Sequence, residues 1–271
     1  MIKKELIAHR DPKSPVSETF RTLRTNIQFM NSNKKLETLL VTSTMPGEGK
    51  SWVASNLAVT FAQAGKRVIL IDADMRKGRQ YSIFGILPRP GLSNYLSGME
   101  DGENKMHWSD YIRTVEIPNL CVMPAGSIPP NPSELLVTTR MLDLLEDLKK
   151  QCDLIIIDST PSKLVTDSVI LSRIVDSTIV VTSHNQTQKE DLAKVVRDIK
   201  NVGGNIAGIV YNKIPVSGKK YNDTYYYAST AAKASRTKMD YKHEAKMDEQ
   251  VNMAIEMINK EREKKEKNDT K

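Results

Sequence analysis

Gly47-Glu48-Gly49-Lys50-Ser51 stands directly after a short apolar run, Thr38–Ser43, and directly before a helix-like stretch, Ser51–Ala64. Glycines at 47 and 49 let backbone N–H groups turn toward an anion with no Cβ in the way. The following helix N-terminus adds its positive end. In this strand–loop–helix setting the pattern reads as a phosphate-binding loop: Lys50 is expected to neutralise β/γ-phosphate charge and the Ser51 hydroxyl to ligate Mg²⁺. The full pattern asks for one more glycine early in the loop, where Thr44 stands, so the match is to the second half. Gly47, Glu48, Gly49, Lys50, Ser51 and the next residue, Trp52, are the candidate nucleotide-binding residues.

Two further apolar runs end in carboxylates. In Val68-Ile69-Leu70-Ile71-Asp72-Ala73-Asp74-Met75-Arg76, two aspartates lie at i and i+2 at the C-terminal end of a buried strand. That is the sheet edge where α/β proteins bind ligands. Leu154-Ile155-Ile156-Ile157-Asp158 repeats the form, as a Walker B strand whose Asp holds Mg²⁺ directly or through water. One strand-terminal Asp alone is more often a turn or helix cap. Three of them beside a phosphate loop point instead to a metal–nucleotide site, with Ser51, Asp72, Asp74 and Asp158 as metal ligands.

These residues need a scaffold. Strands are expected at Thr38–Ser43, Arg67–Asp72, Asn119–Pro124, Asp153–Asp158, Ser177–Ser183 and Asn205–Asn212. Helices are expected at Pro15–Met30, Ser51–Ala64, Pro132–Gln151, Ser168–Ile174 and Lys189–Val202. Continuously apolar strands suit a sheet covered on both faces. Their alternation with helices predicts an α/β, doubly wound, mostly parallel sheet. Asn131-Pro132-Ser133-Glu134 reads as a helix start with an Asn cap and a capping-box Glu. Residues 1–14 are polar and expected to be loose. The segments are taken as 1–36, an N-terminal helix; 37–216, the main domain; 217–230, a tyrosine cluster; and 231–271, a tail of mixed charge with only a short apolar stripe at Val251, Ile255 and Ile258.

The 271 residues allow one large domain or two small ones, with ordinary shares of hydrophobic (39%) and charged (27%) residues. Two cysteines, Cys121 and Cys152, build no disulfide framework, which fits a reduced, cytoplasmic setting. No apolar run approaches the roughly 20 residues a spanning helix needs, and no signal peptide is expected. The net charge of +7 is spread along the chain rather than gathered in a stripe, and charge alone does not choose among nucleic acid, anionic lipid and an acidic small ligand such as nucleotide; with the phosphate-loop motifs favouring the last, no nucleic-acid partner is expected.

Gly47–Ser51, Ile71-Asp72-Ala73-Asp74-Met75-Arg76 and Ile157-Asp158 together resemble the bacterial tyrosine kinases, P-loop enzymes tied to capsule and exopolysaccharide synthesis. The second motif is similar to their Walker A′, Glu18-x-x-Arg21-x-x-Arg24 to their oligomerisation motif, and Tyr221, Tyr225, Tyr226 and Tyr227 to their C-terminal tyrosine cluster. The resemblance covers about residues 10–230. Three positions depart from the pattern: Trp52, Gly78, and the Ser159-Thr160-Pro161 that follows Asp158.

The resemblance implies an ATP- and Mg²⁺-dependent protein-tyrosine autokinase with Lys50, Asp72, Asp74, Asp158 and Arg76 as catalytic residues. One of Asp72 and Asp74 would take the phenol proton and the other would help hold Mg²⁺; Arg76 would face phosphate or a neighbouring subunit. It also implies a ring-like homo-oligomer whose tails are phosphorylated in trans, a transmembrane activator of the polysaccharide co-polymerase type, a cognate tyrosine phosphatase, and a place at the inner face of the cell membrane reached through the activator. The alternative is a MinD/ParA-like positioning ATPase on a related fold. Those proteins carry an extra lysine early in the loop, where Met45 stands, and lack a terminal tyrosine cluster. A second rival is a nucleotide-gated scaffold whose tyrosines are phosphorylated by another enzyme.

Overall fold

The computed structural model describes residues 5–30, 35–98 and 107–215. The tyrosine cluster and the 231–271 tail lie outside the described residues. Seven strands, β1 (Thr38–Ser43), β2 (Val68–Asp72), β3 (Arg113–Thr114), β4 (Leu120–Met123), β5 (Leu154–Pro161), β6 (Ser177–Ser183) and β7 (Ile206–Asn212), form one sheet in the order β3-β4-β2-β5-β1-β6-β7. Every pairing is parallel except the short β3–β4 contact. The expected α/β, mostly parallel architecture is what the chain adopts.

Alternate strand residues feed two cores. Leu39, Val41, Val68, Leu70 and Ile156 pack on one face with α2 (Pro15–Met30) and α3 (Lys50–Gln63). Leu40, Ile69, Ile71, Ile155 and Ile157 pack on the other with α7 (Thr139–Gln151) and α8 (Asp167–Ile174). Burial on both faces is why these strands read as unbroken apolar runs. The three motif-bearing strands are neighbours: β5 lies between β2 and β1. Their loops therefore emerge side by side at the C-terminal edge.

Several expectations need correction. The first residues are not loose from Glu5 onward. Leu6 and Ala8 are buried, and Ile7–Arg10 forms a short helix, α1. Asn56 of α3 makes this possible: its Oδ1 accepts the Ala8 N–H (3.0 Å) and its Nδ2 donates to the Glu5 carbonyl (3.0 Å). The helix expected over Pro132–Gln151 is two, α6 (Pro132–Leu136) and α7. The break falls in Val137-Thr138-Thr139, where three β-branched residues disfavour helix and the Thr138 hydroxyl donates to the Leu135 carbonyl (2.7 Å). Asn131 does not cap α6 with its side chain. Two short helices, α4 (Gln80–Phe84) and α5 (Leu92–Ser97), and strand β3 were not expected from periodicity; each is too short to show one. Among the described residues the last helix is α9 (Lys189–Asn201).

Asn56 is fully buried, and removing its side chain strands backbone groups of the N-terminal segment. Asn56→Ala is expected to cost about 2 kcal/mol, lowering Tm by several degrees in a domain of this size. A thermal melt of the full chain checks this.

Candidate functional site

The phosphate loop joins β1 to α3. Gly49 sits at φ 100° and caps α3, a conformation that favours glycine, and a Cβ there would strike Asn212 Nδ2. Asn212, at the end of β7, donates to the Glu48 carbonyl (2.8 Å). The Glu48 side chain does not face the loop's anion space. It is buried, and its carboxylate accepts the Met45 N–H (2.8 Å) and the Thr187 hydroxyl. A carboxylate beside phosphate would repel it, and these contacts tie it away. The backbone of Glu48 then remains to serve a nucleotide, as expected of a residue within the phosphate loop. The Trp52 ring likewise turns away and packs edge-on against Phe20 of α2 (centroids 5.1 Å apart).

Lys50 and the three aspartates do come together. Strand register puts Asp72 of β2 directly beside Asp158 of β5. Both are fully buried, and Asp74 nearly so. Lys50 Nζ pairs with Asp74 Oδ2 (3.1 Å). Asp72 accepts backbone N–H groups from Asp74 (3.2 Å) and Gln80 (2.9 Å). Asp158 Oδ2 accepts Gln80 Nε2 (2.8 Å), while Asp158 Oδ1 is buried with no hydrogen-bond partner among the described residues. Gly78 is needed here: a Cβ at 78 would stand 2.7 Å from the Ala125 Cβ and 2.8 Å from Asp72 Oδ2.

The electrostatics follow from three carboxylates around one ammonium. Burial, and then the neighbouring Asp158, hold the Asp72 carboxyl well above the usual range. Burial pushes Asp158 up to about 6, with Lys50, the Gln80 amide and the neighbouring Ser51 hydroxyl opposing. Burial works against the charge on Lys50, but Asp158 and Asp74 outweigh it and keep the ammonium more basic than usual. Among the described residues no three His, Cys, Asp or Glu side chains converge as a ready metal cage. A small divalent cation does not need one, because it keeps several waters and uses one or two carboxylates plus substrate phosphates.

Other expected residues sit differently. Arg76 is held by Asp167 at the start of α8, Nε to Oδ2 at 3.1 Å and Nη2 to Oδ1 at 3.2 Å, and it also reaches Ser133 of α6. It braces the Walker A′ loop against two helices. On α2, Glu18 and Arg21 pair with each other (2.5 Å), while Arg24 donates to the Thr60 carbonyl of α3 (2.9 Å). The charge stripe is thus partly engaged within the chain. Sequence reasoning missed Gln80, Thr187 and Asn212. Asn212 carried a usable signal, a polar residue ending an apolar strand at the ligand-binding edge; Gln80 and Thr187 lie in segments without a readable period.

Comparison with known proteins gives the family of the chain. A family profile described as "ParA: NUBPL iron-transfer P-loop NTPase" matches residues 35–271. Fold and loop together define a ParA-type P-loop NTPase. The chain is 38% identical to "Putative tyrosine-protein kinase CapB" of Staphylococcus aureus, over 82% of this chain and 93% of that protein. It is 36% identical to "Tyrosine-protein kinase YwqD" of Bacillus subtilis, over 84% and 93%. Among solved structures, the chimerical protein CapA2B2 superposes with a TM-score of 0.73 at 36% identity, covering 79% of this chain and 92% of that one. The chain belongs to the bacterial tyrosine kinases. The cell-division ATPase MinD of Pyrococcus furiosus, at 22% identity and TM-score 0.55 over 70% of this chain and 79% of that one, shares the fold alone. The MinD/ParA alternative is a distant fold relative.

A carboxyl whose proton affinity is raised by folding favours the folded state at low pH. That advantage is lost as pH climbs from the unfolded value, near 3.8, through about 6. Asp158→Asn, which removes the charge and keeps the shape, is expected to stabilise the ligand-free protein at pH 8 by on the order of 2 kcal/mol. The gain should shrink toward pH 4. Denaturant melts of both proteins across this range measure it.

Proposed function

We propose that this protein-tyrosine kinase phosphorylates its own tyrosine cluster, Tyr221, Tyr225, Tyr226 and Tyr227, using ATP with Mg²⁺, and in doing so regulates capsular or exopolysaccharide synthesis and export. The reading is carried by the convergence of Lys50, Asp72, Asp74 and Asp158 at the ends of three adjacent strands. The names of the two relatives above, both tyrosine-protein kinases, support it.

The chemistry asks for three things. The loop N–H groups and Lys50 hold the β- and γ-phosphates of ATP and orient the γ-phosphorus for in-line attack. The tyrosine oxygen bonds to that phosphorus, the bond to the β–γ bridging oxygen breaks, and ADP leaves with the electron pair. The phenol proton passes to a buried aspartate; Asp72, whose proton affinity is raised, is the better acceptor, while Asp74 is engaged by Lys50. Mg²⁺ fits the donor set: a buried carboxylate oxygen of Asp158 without a partner, an excess of negative charge, and Ser51 at the start of α3. When bound, it neutralises charge that develops on the phosphate oxygens. Ser51 and Asp158 would hold it.

The tail enters a neighbouring copy's site in a ring-like homo-oligomer, to which the exposed Glu18–Arg21 end of the α2 stripe contributes. Each phosphate adds about −1.5 to −2 charges, so full modification repels the tail from an acidic site and loosens the ring. A transmembrane activator recruits the kinase to the inner face of the membrane, and a cognate phosphatase resets the tail. Among the described residues no helix is long and apolar enough to cross a membrane.

Purified protein with ATP and Mg²⁺ alone is expected to gain phosphotyrosine on the four tail residues by mass spectrometry. Lys50→Met should abolish the signal with the fold intact. Changing all four tail tyrosines to Phe should leave ATP binding unchanged and remove nearly all phosphotyrosine. Label mainly on Tyr81, Tyr95, Tyr111 or Tyr241 contradicts the tail as substrate, and no label without a second kinase contradicts autophosphorylation.

A further inference from the structure

Gln80 is fully buried and bonds to three residues of the candidate site, Asp72, Asp158 and Ser51. Its backbone N–H donates to Asp72 Oδ2 (2.9 Å). Its side-chain Nε2 donates to Asp158 Oδ2 (2.8 Å) and to the Ser51 carbonyl (3.1 Å). One residue therefore joins the ends of β2 and β5 to the first turn of α3. The amide orientation is settled by chemistry, because both partners of the nitrogen are acceptors and only an NH₂ group can serve them.

That orientation has a consequence. Gln80 Oε1 is directed elsewhere, buried and without a hydrogen-bond partner among the described residues, and Asp158 Oδ1 is in the same condition. Two orphaned acceptors on one bonded pair call for donors or a cation, since a buried acceptor left alone is costly. A hydrated divalent cation supplies both kinds of contact: a charge for the carboxylate and water O–H donors for the amide.

We propose that Gln80 is a positioning residue for Mg²⁺. Its Nε2 occupies Asp158 Oδ2, which leaves Asp158 Oδ1 as the oxygen presented to the metal. Its Oε1, buried without a partner among the described residues, would accept from water carried into the site with the metal, and its hold on the Ser51 carbonyl fixes the turn that carries the Ser51 hydroxyl. Gln80 acts through Asp158 and Ser51, the residues to which its side-chain nitrogen bonds. The inference rests on the Mg²⁺ reading above and adds to it the residue that sets metal affinity. Partners of this outer kind commonly change metal affinity 10–100-fold when lost.

The test is the Mg²⁺ dependence of binding of a fluorescent ADP analogue to the full chain, measured for the wild type, Gln80→Met and Gln80→Leu. Both substitutions keep the bulk and remove the side-chain donor and acceptor; Gln80→His restores an N–H donor. In the folded Met or Leu variant, the Mg²⁺ concentration for half-maximal enhancement should rise at least tenfold. Affinity for the analogue in chelator should change less than threefold, and saturating Mg²⁺ should recover phosphorylation. The His variant should lie nearer the wild type than either. A wild-type-like Mg²⁺ dependence in a folded Met or Leu variant overturns the inference, as does an equal loss with and without Mg²⁺, the mark of a purely structural role. If neither folds, the His variant decides alone: a Mg²⁺ dependence within threefold of the wild type supports the inference, and a larger shift overturns it. If wild-type binding itself shows no Mg²⁺ dependence, the Mg²⁺ reading fails instead.

Discussion

Asp72 and Asp158 are forced side by side. Parallel pairing of β2 and β5 matches them residue for residue, and both are sealed from solvent. Two carboxylates in that position cannot both be charged without strong compensation. Much of the surrounding structure answers this constraint. Lys50 reaches in from α3 to pair with Asp74, Gln80 and the Walker A′ backbone donate hydrogen bonds, and burial shifts the proton affinities upward. The clustered carboxylates are frustrated on their own, and the Mg²⁺ proposed above would relieve them. That frustration is characteristic of a functional site, where stability gives way to readiness for a ligand.

The same logic explains the residues that face away. Glu48 would oppose phosphate if it pointed into the loop, so Met45 and Thr187 hold it aside. Arg76 would compete with Lys50 for the aspartates if it swung inward; Asp167 and Ser133 keep it on the helices. Asn212 connects the loop to the last strand through the Glu48 carbonyl. The end of β7 is thereby joined mechanically to the phosphate loop, only nine residues of sequence before Tyr221.

Much of this was legible from residue types alone. Loops tipped by Gly47–Ser51, Asp72–Arg76 and Asp158 follow apolar runs, and their residue types mark them as parts of one metal–nucleotide site; that their strands are neighbours is visible only in the sheet order. What stayed hidden depends on tertiary contact. Glu48 belonged to the motif by position, and only packing shows its side chain turned away. Gln80 sits in a five-residue helix with no periodic signal, and its importance comes from two strands and a helix meeting around it. Leu6 and Ala8 looked like part of a polar terminus because the residue that orders them, Asn56, lies far along the chain. Local sequence carries period and turn chemistry, not the identity of distant partners.

The raised proton affinities of Asp72 and Asp158 predict that binding of a metal–nucleotide expels protons from the site. Calorimetry of Mg–ADP binding at pH 6.5, in two buffers of different ionisation enthalpy, counts those protons directly. With Asp72 held well above its usual range and Asp158 near 6, wild-type protein should release protons on binding, and Asp72→Asn should release fewer. A wild-type enthalpy that is the same in both buffers would mean the aspartates are already ionised, and the electrostatic account of the site would be wrong.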